Sequence, residues 1–336
     1  MIPHNKLSFS KNEKCYVNDV LDSRRLSNGS YTERFENGIC DLLGLPNGHA
    51  VAVTSGSAAL FIALQALDAQ NKKVAIPSFV CSSLRNACTL SNSLVHICDI
   101  EGDSLKIDQK ELTDSQSDIL INPYLFGISN PLPDFKGSII EDCAQSLGAK
   151  FRGKSLGTIG DIGILSFYAT KLITSGGQGG MLVSKNKDLI DFSRDFINFD
   201  MRKDASFRFN FSITEIQAAV GLAQLEEFPE FLQKRNEIWD IYHSMGLNLI
   251  ESPNKGSVRY RAVVKTPDAS KLIRHLHDNK ISAIVPIEEW ELLSKTTKNA
   301  IKLSNSTVSI PLYPTLSKND ACKIASVIGE FNENIY

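Results

Sequence analysis

What most constrains the fold of this chain is an alternation. Between His49 and Ser184, seven short apolar runs, HAVAVTS, KVAIP, LVHICDI, DILINPYLF, SIIEDCA, DIGILSFY and GGMLVS, come one after another. The first is followed by SAALFIALQALDAQ, whose apolar residues fall at helical spacing, and the second and third are separated by a helix-like stretch over residues 82–91. Strands interleaved with helices predict an α/β sheet, largely parallel and buried on both faces.

On either side the texture differs. The first 45 residues read as polar and irregular, apart from a helix around TERFENGICDLLG that Gly44 stops ahead of Pro46. After the sheet come two long helical patterns, over residues 214–227 and 230–245, with Pro229 marking the break. Beyond Leu247, short strand-like pieces (VRYRAVVKT, ISAIVP, STVSIPL) alternate with helices (SKLIRHLHDN, KNDACKIASVIGEF), which predicts a smaller α/β domain. The boundary falls within residues 225–250, and no Gly/Ser linker marks it.

A chain of 336 residues is too long for one small core and fits two domains. Lys and Arg number 36 against 38 Asp and Glu, a net charge of -2, which speaks against a nucleic-acid binder and gives no support for an anionic-membrane anchor. No apolar run approaches the ~18–20 residues of a membrane span, and the N-terminus lacks an apolar signal core, so the expected compartment is the cytoplasm. The seven cysteines are an odd number with no Cys-x-x-Cys pair, which fits reduced thiols better than disulfides or zinc. His275 and His277, two apart on an expected helix, do not share a face, and no metal site is expected.

Four segments can carry chemistry. In Thr54-Ser55-Gly56-Ser57-Ala58-Ala59-Leu60 a strand turns into a helix through small residues, which makes either a phosphate cradle or a tight turn with a serine N-cap. In Ile140-Glu141-Asp142-Cys143-Ala144-Gln145-Ser146 acids sit at the end of a strand, which makes either a ligand site of the kind open α/β sheets place there or a solvent-exposed acidic loop. The run from Asp161 to Lys171 delivers a lysine into the glycine-rich loop 175–180, where it is either a solvated surface group or, with a lowered pKa, able to form a Schiff base. That loop matches neither a Walker nor a Rossmann pattern. The fourth segment is Phe209-Asn210-Phe211-Ser212-Ile213-Thr214, with Thr214 as a reasonable N-cap.

In this order, the stretches TSGSAAL, IPSFV, IIEDCAQSLGAKFRGKSLGTIGDIGILSFYATK, GGQGGML, TEIQAAVGLAQLE and SIPLYPTLS resemble the sugar aminotransferases of the DegT/StrS type, which are fold-type I pyridoxal-phosphate (PLP) enzymes. The similarity runs from about Arg34 to about Val327. It implies a large PLP-binding domain over residues 1–228, including an N-terminal arm, with a mostly parallel seven-stranded sheet. It implies as well a small C-terminal α/β domain over residues 229–336 and a homodimer with shared active sites.

By the same resemblance Lys171 is the Schiff-base lysine and the acid–base group, and Asp142 faces the pyridine nitrogen. Gln145 lies near the ring hydroxyl. Gly56, Ser57, Ala58 and Ser166 form the phosphate cradle, while Asn210 and Ser212 fall in the segment that reaches the partner subunit's phosphate. Cys81 stands where many members stack an aromatic residue on the ring, Tyr124 stands where they commonly carry histidine, and the region between Ile250 and Ser309 is abbreviated. The implied reaction moves an amino group from L-glutamate to a keto-deoxysugar on a nucleoside diphosphate, as in polysaccharide biosynthesis. A small keto compound, with or without a phosphate, is the alternative acceptor. Relatives that dehydrate keto sugars replace the lysine with histidine, and retention of Lys171 favours transamination. A catalytically silent regulator of the same fold is the reading from another class.

Overall fold

The computed structural model describes residues 1–333. Its strands are β1 (Ala50–Val53), β2 (Lys73–Pro77), β3 (Leu94–Cys98), β4 (Ile119–Pro123), β5 (Ser138–Asp142), β6 (Lys150–Phe151), β7 (Lys154–Ser155), β8 (Ile162–Ser166), β9 (Gly180–Val183), β10 (Ala262–Lys265) and β11 (Thr307–Ile310). Seven of them make one sheet in the order β1-β9-β8-β5-β4-β2-β3. All seven apolar runs of the sequence are in it. Neighbours pair parallel except at β9, which is antiparallel to both β1 and β8.

The reversal has a simple cause. The connection from Ser166 to Gly180 holds no helix, and a parallel return usually needs a crossover of a dozen or more residues, commonly helical. Strand β9 therefore doubles back. Because its two neighbours both run against it, β1 and β8 point the same way as β5, and their C-terminal ends share one edge of the sheet.

Alternate residues of the strands feed cores on opposite faces, as the period of two requires. Val51 and Val53 pack with the Gly56–Ala66 helix on one face, whereas Ala50 and Ala52 pack with Phe35 and Ile39 on the other. Phe35 comes from the Ser30–Leu43 helix, whose start is capped from a distance by the Glu215 carboxylate, which accepts from the Tyr31 and Thr32 backbone N–H groups at 2.9 and 3.0 Å. Glu215 opens the Glu215–Glu226 helix, itself set by a Thr214/Gln217 capping box. Pro229 lies in the first turn of the next helix, Phe228–Ser244, where its missing N–H costs nothing.

Two local expectations are corrected, and one element is added. The N-terminal arm is not irregular, because residues Asn12–Ser23 form a helix. Its sequence is too polar to show an apolar stripe. Tertiary contacts hold it instead: buried Glu13 accepts from the Ser10 N–H at 2.8 Å and pairs with Gln224 on the Glu215–Glu226 helix. Residues 281–286 are not a strand and make only isolated bridges, Ile2–Ile281 and Ile284–Ser309. A short helix, Lys298–Asn305, was not apparent from the sequence.

Around the antiparallel pair β10–β11 a third apolar cluster gathers Trp239 and Tyr242 with Leu272, Leu276 and Ile324. The final three residues of the region assigned to the small domain, 334–336, lie outside the described residues.

Candidate active site

Three chain segments meet at the shared C-terminal edge of β1, β5 and β8. After β1 the chain turns at Ser55 into the Gly56–Ala66 helix, and Ser55 is its N-cap, with Oγ accepting from the Ala58 N–H at 3.1 Å. The first N–H groups of a helix have no intrahelical partner and carry the positive end of its dipole. Here they face a confined space. A Cβ on Gly56 would lie 2.9 Å from Cβ of Ser166, and one on Gly180 only 2.3 Å from the Ser55 carbonyl. Glycine is therefore required where β1, β8 and β9 close around the helix start.

A cavity of about 250 Å³ opens in front of that helix start. Gly56, Ser57, Cys81, Asp142, Ser166 and Lys171 all line it. Asp142 ends β5 and is buried, and its Oδ1 accepts from the Ala144 N–H at 3.0 Å. Burial pushes its carboxyl above the usual carboxylate range, and the Ala144 hydrogen bond and the Lys171 charge oppose that shift. Next to it on β5, Glu141 is fully buried and accepts from Tyr124, Gly157, Ile159 and Gly160. Lys171 stands five residues beyond the end of β8, and its Nζ lies 5.5 Å from the centre of the Tyr260 ring.

The remaining expected site residues sit differently. Ala58 is buried one turn into the helix and contributes its N–H to the Ser55 cap. The Gln145 Oε1 accepts from the Phe126 N–H at 2.8 Å. Asn210 and Ser212 line a separate, larger cavity of about 550 Å³ with Ser27 and Arg194. Their segment still runs beside β1, since Thr54 donates to the Phe211 carbonyl at 2.9 Å and Ser212 bridges Val53.

Sequence reasoning did not single out Ser83, Tyr168 or Gln178, which also line the first cavity, nor Tyr260 and Arg235 near Lys171. Only Ser55 carried a local signal, as the N-cap. Tyr260 is notable electrostatically. Burial pushes its hydroxyl up, but Lys171, Arg261, Arg235 and a hydrogen bond with Thr170 together bring it below the ordinary tyrosine value.

The cavity fits PLP in three respects: orphan N–H groups for a phosphate, a buried carboxylate for a pyridinium, and a lysine for a carbonyl. Fold and cavity together define an aminotransferase of the PLP-dependent kind. Comparison with known proteins agrees. The family model described as the DegT/DnrJ/EryC1/StrS aminotransferase family matches residues 8–329. The chain is 31% identical over 261 residues to a GDP-perosamine synthase of Vibrio cholerae, covering 73% of this chain and 70% of that one. It is 29% identical to a GDP-perosamine synthase of Escherichia coli O157:H7, with 98% of each covered. Among solved structures, the aminotransferase TlmJ of Streptoalloteichus hindustanus superposes with a TM-score of 0.90 over 100% of both chains at 22% identity, a likeness of fold. The chain belongs to the DegT/DnrJ/EryC1/StrS aminotransferase family, and PLP is its cofactor. Among the described residues no helix is long and apolar enough to cross a membrane.

Proposed function

We propose that the chain moves an amino group from L-glutamate to a keto-deoxysugar carried on a nucleoside diphosphate, a step in making polysaccharide sugars. The observation that carries this reading is the meeting of Lys171, Asp142 and the Gly56–Ser57 helix start on one cavity. The two relatives named GDP-perosamine synthase support the choice of a nucleotide-linked acceptor.

When bound, PLP supplies a carbonyl that exchanges amines and a ring that withdraws electrons. The residues supply binding and proton control. Backbone N–H groups of Gly56 and Ser57, with the Ser166 hydroxyl, hold the phosphate. Asp142 keeps the proton on the ring nitrogen, a charge-assisted contact worth about 1.5–3 kcal/mol. Lys171 Nζ anchors the cofactor and takes and returns the proton at the donor's α-carbon. Gln145 would stand beside the ring hydroxyl, and Cys81 would take the place of a ring-stacking group.

Asn210 and Ser212 serve the phosphate site of a second copy, which makes the protein a homodimer. Phe199, Met201, Phe207 and Phe209 near that segment are half to almost fully exposed, an apolar surface suited to a second copy. The chain divides into a cofactor-binding part, 1–228, and a small part, 229–336. Borohydride reduction of the PLP-loaded protein followed by peptide mapping tests the reading. The pyridoxyl mass is expected on Lys171, and its appearance on another lysine contradicts the assignment.

A further inference from the structure

A second cavity, also about 250 Å³, lies beside Thr170 and Tyr260, on a different set of residues from the one described above. Its lining includes His4 from the N-terminal arm, Arg235 from the Phe228–Ser244 helix, Arg261, and Ser309 on β11. No aspartate or glutamate lines it.

Arg235 is the unusual member. It is 4% exposed, and among the described residues no ion pair joins it to a carboxylate. One guanidinium nitrogen, Nη1, donates to the carbonyls of Tyr260 and Leu312 at 3.2 and 2.9 Å, while Nε is buried with no partner. A buried cation without an anion is costly, and that cost falls when an anion binds. Burial lowers its pKa only to about 10, so it stays charged at neutral pH.

Arg261 adds a second fixed charge. Its Nη1 reaches the Ser309 Oγ at 3.3 Å, and its guanidinium lies 5.5 Å from the Tyr260 ring centre. The His4 ring bonds the same Ser309 hydroxyl at 2.9 Å and is held down at about 4 by burial and by Arg261, so it offers neutral hydrogen bonding and no third charge.

We propose that this cavity is the subsite for the diphosphate of the acceptor, held by Arg235 and Arg261. The proposal rests on the nucleotide-sugar reading above and gives it a location. Two guanidiniums and no acid match an anion carrying two or more charges better than a single carboxylate. The volume suits a diphosphate, since pockets for whole drug-sized ligands start at about 300 Å³. The position suits it too. Lys171 Nζ and Arg261 both lie over the Tyr260 ring, at 5.5 Å from its centre, and Arg235 shares a narrow cleft with Lys171. In a nucleotide sugar the reacting carbon and the diphosphate are likewise separated by little more than one sugar ring.

The test titrates inorganic pyrophosphate into the PLP-loaded protein by calorimetry. The filled cofactor site leaves the second cavity as the site probed. Wild type should bind one equivalent per chain, and R261Q should weaken binding roughly tenfold or more, the loss expected for one charge-assisted contact. R152Q, at an exposed arginine on the β6–β7 hairpin, controls for general surface charge and should bind as wild type does. Arg235 is buried, so R235K keeps the charge while removing the fork, and thermal melting of each variant checks that it is folded. No pyrophosphate binding by wild type, or equal binding by R261Q, overturns the proposal. In kinetics, the KM for the nucleotide-linked acceptor should rise in R261Q. A defect confined to the glutamate half-reaction instead overturns the diphosphate assignment in favour of a donor carboxylate. If wild type binds pyrophosphate but transaminates no nucleotide sugar, the functional reading fails while the anion site stands.

Discussion

The Tyr124 hydroxyl donates to Oε2 of Glu141 at 2.9 Å, and both side chains are buried. Glu141 also accepts from three backbone N–H groups, those of Gly157, Ile159 and Gly160, so one carboxylate ties the loop before β8 to the strand that carries Asp142. The Tyr124 backbone N–H donates to the Asp142 carbonyl at 3.0 Å, which closes the same unit from the other side. Tyr124 thus braces the end of the strand that carries Asp142.

Tyr124→Phe is therefore expected to destabilise the fold by about 1 kcal/mol, the ordinary net worth of one hydrogen bond. Glu141 keeps its three backbone donors. Thermal melting should show a lowered Tm with turnover largely retained. Glu141→Ala, which strips four donors of their acceptor, should cost several times as much.

Replacing Lys171 with alanine should abolish turnover and leave the fold intact. A second, independent readout exists. Lys171 is the largest of the charges holding the Tyr260 hydroxyl below its usual value, so its removal from the PLP-free protein should raise the Tyr260 pKa. Titration of tyrosinate absorbance measures this, and an unchanged Tyr260 would mean that Arg261 and Arg235 suffice.

Asp142→Asn should cut the rate by about two to three orders of magnitude, the usual loss when a key electrostatic partner goes. In the PLP-free protein the same change should stabilise. Burial raises the folded-state pKa of Asp142, so the stability contributed by its neutral form is present below the unfolded value, about 3.9, and is lost as pH rises through the folded value. Asparagine never ionises. Melting curves across pH should show no difference between wild type and variant in acid, and a growing advantage for the variant as pH rises through that window.

Cys81 is exposed on the cofactor cavity and offers no aromatic face. Cys81→Tyr is expected to slow cofactor loss on dialysis by roughly two- to tenfold, matching the ~0.5–1.5 kcal/mol of an aromatic stack. Equal retention would show that the position does not face the ring.

The sheet was legible because its strands are apolar on both faces and bounded by turns, so all seven stand out without any help from pairing. The direction of β9 was legible only in principle, through the missing crossover helix between Ser166 and Gly180. The Asn12–Ser23 helix left no periodic signal, since its order comes from Glu13 and its contact with Gln224 more than two hundred residues away. The groups named from the sequence that line the first cavity stood out because each lies at the C-terminal end of a strand or within five residues of one. Tyr260, Arg235 and Arg261 did not, because a tyrosine or arginine on a distant element carries no local mark of the charge it will meet. Asn210 and Ser212 were expected at a phosphate, and in the single chain they line a cavity of their own.

The central claim is that Lys171 and its cavity transfer nitrogen to a sugar. Incubating the PLP-loaded protein with nitrogen-15 glutamate and a nucleotide-linked keto-deoxysugar, then weighing the sugar product by mass spectrometry, tests it most directly. The account predicts one labelled nitrogen in the sugar and an equivalent of 2-oxoglutarate. A deoxysugar product without the label would contradict it.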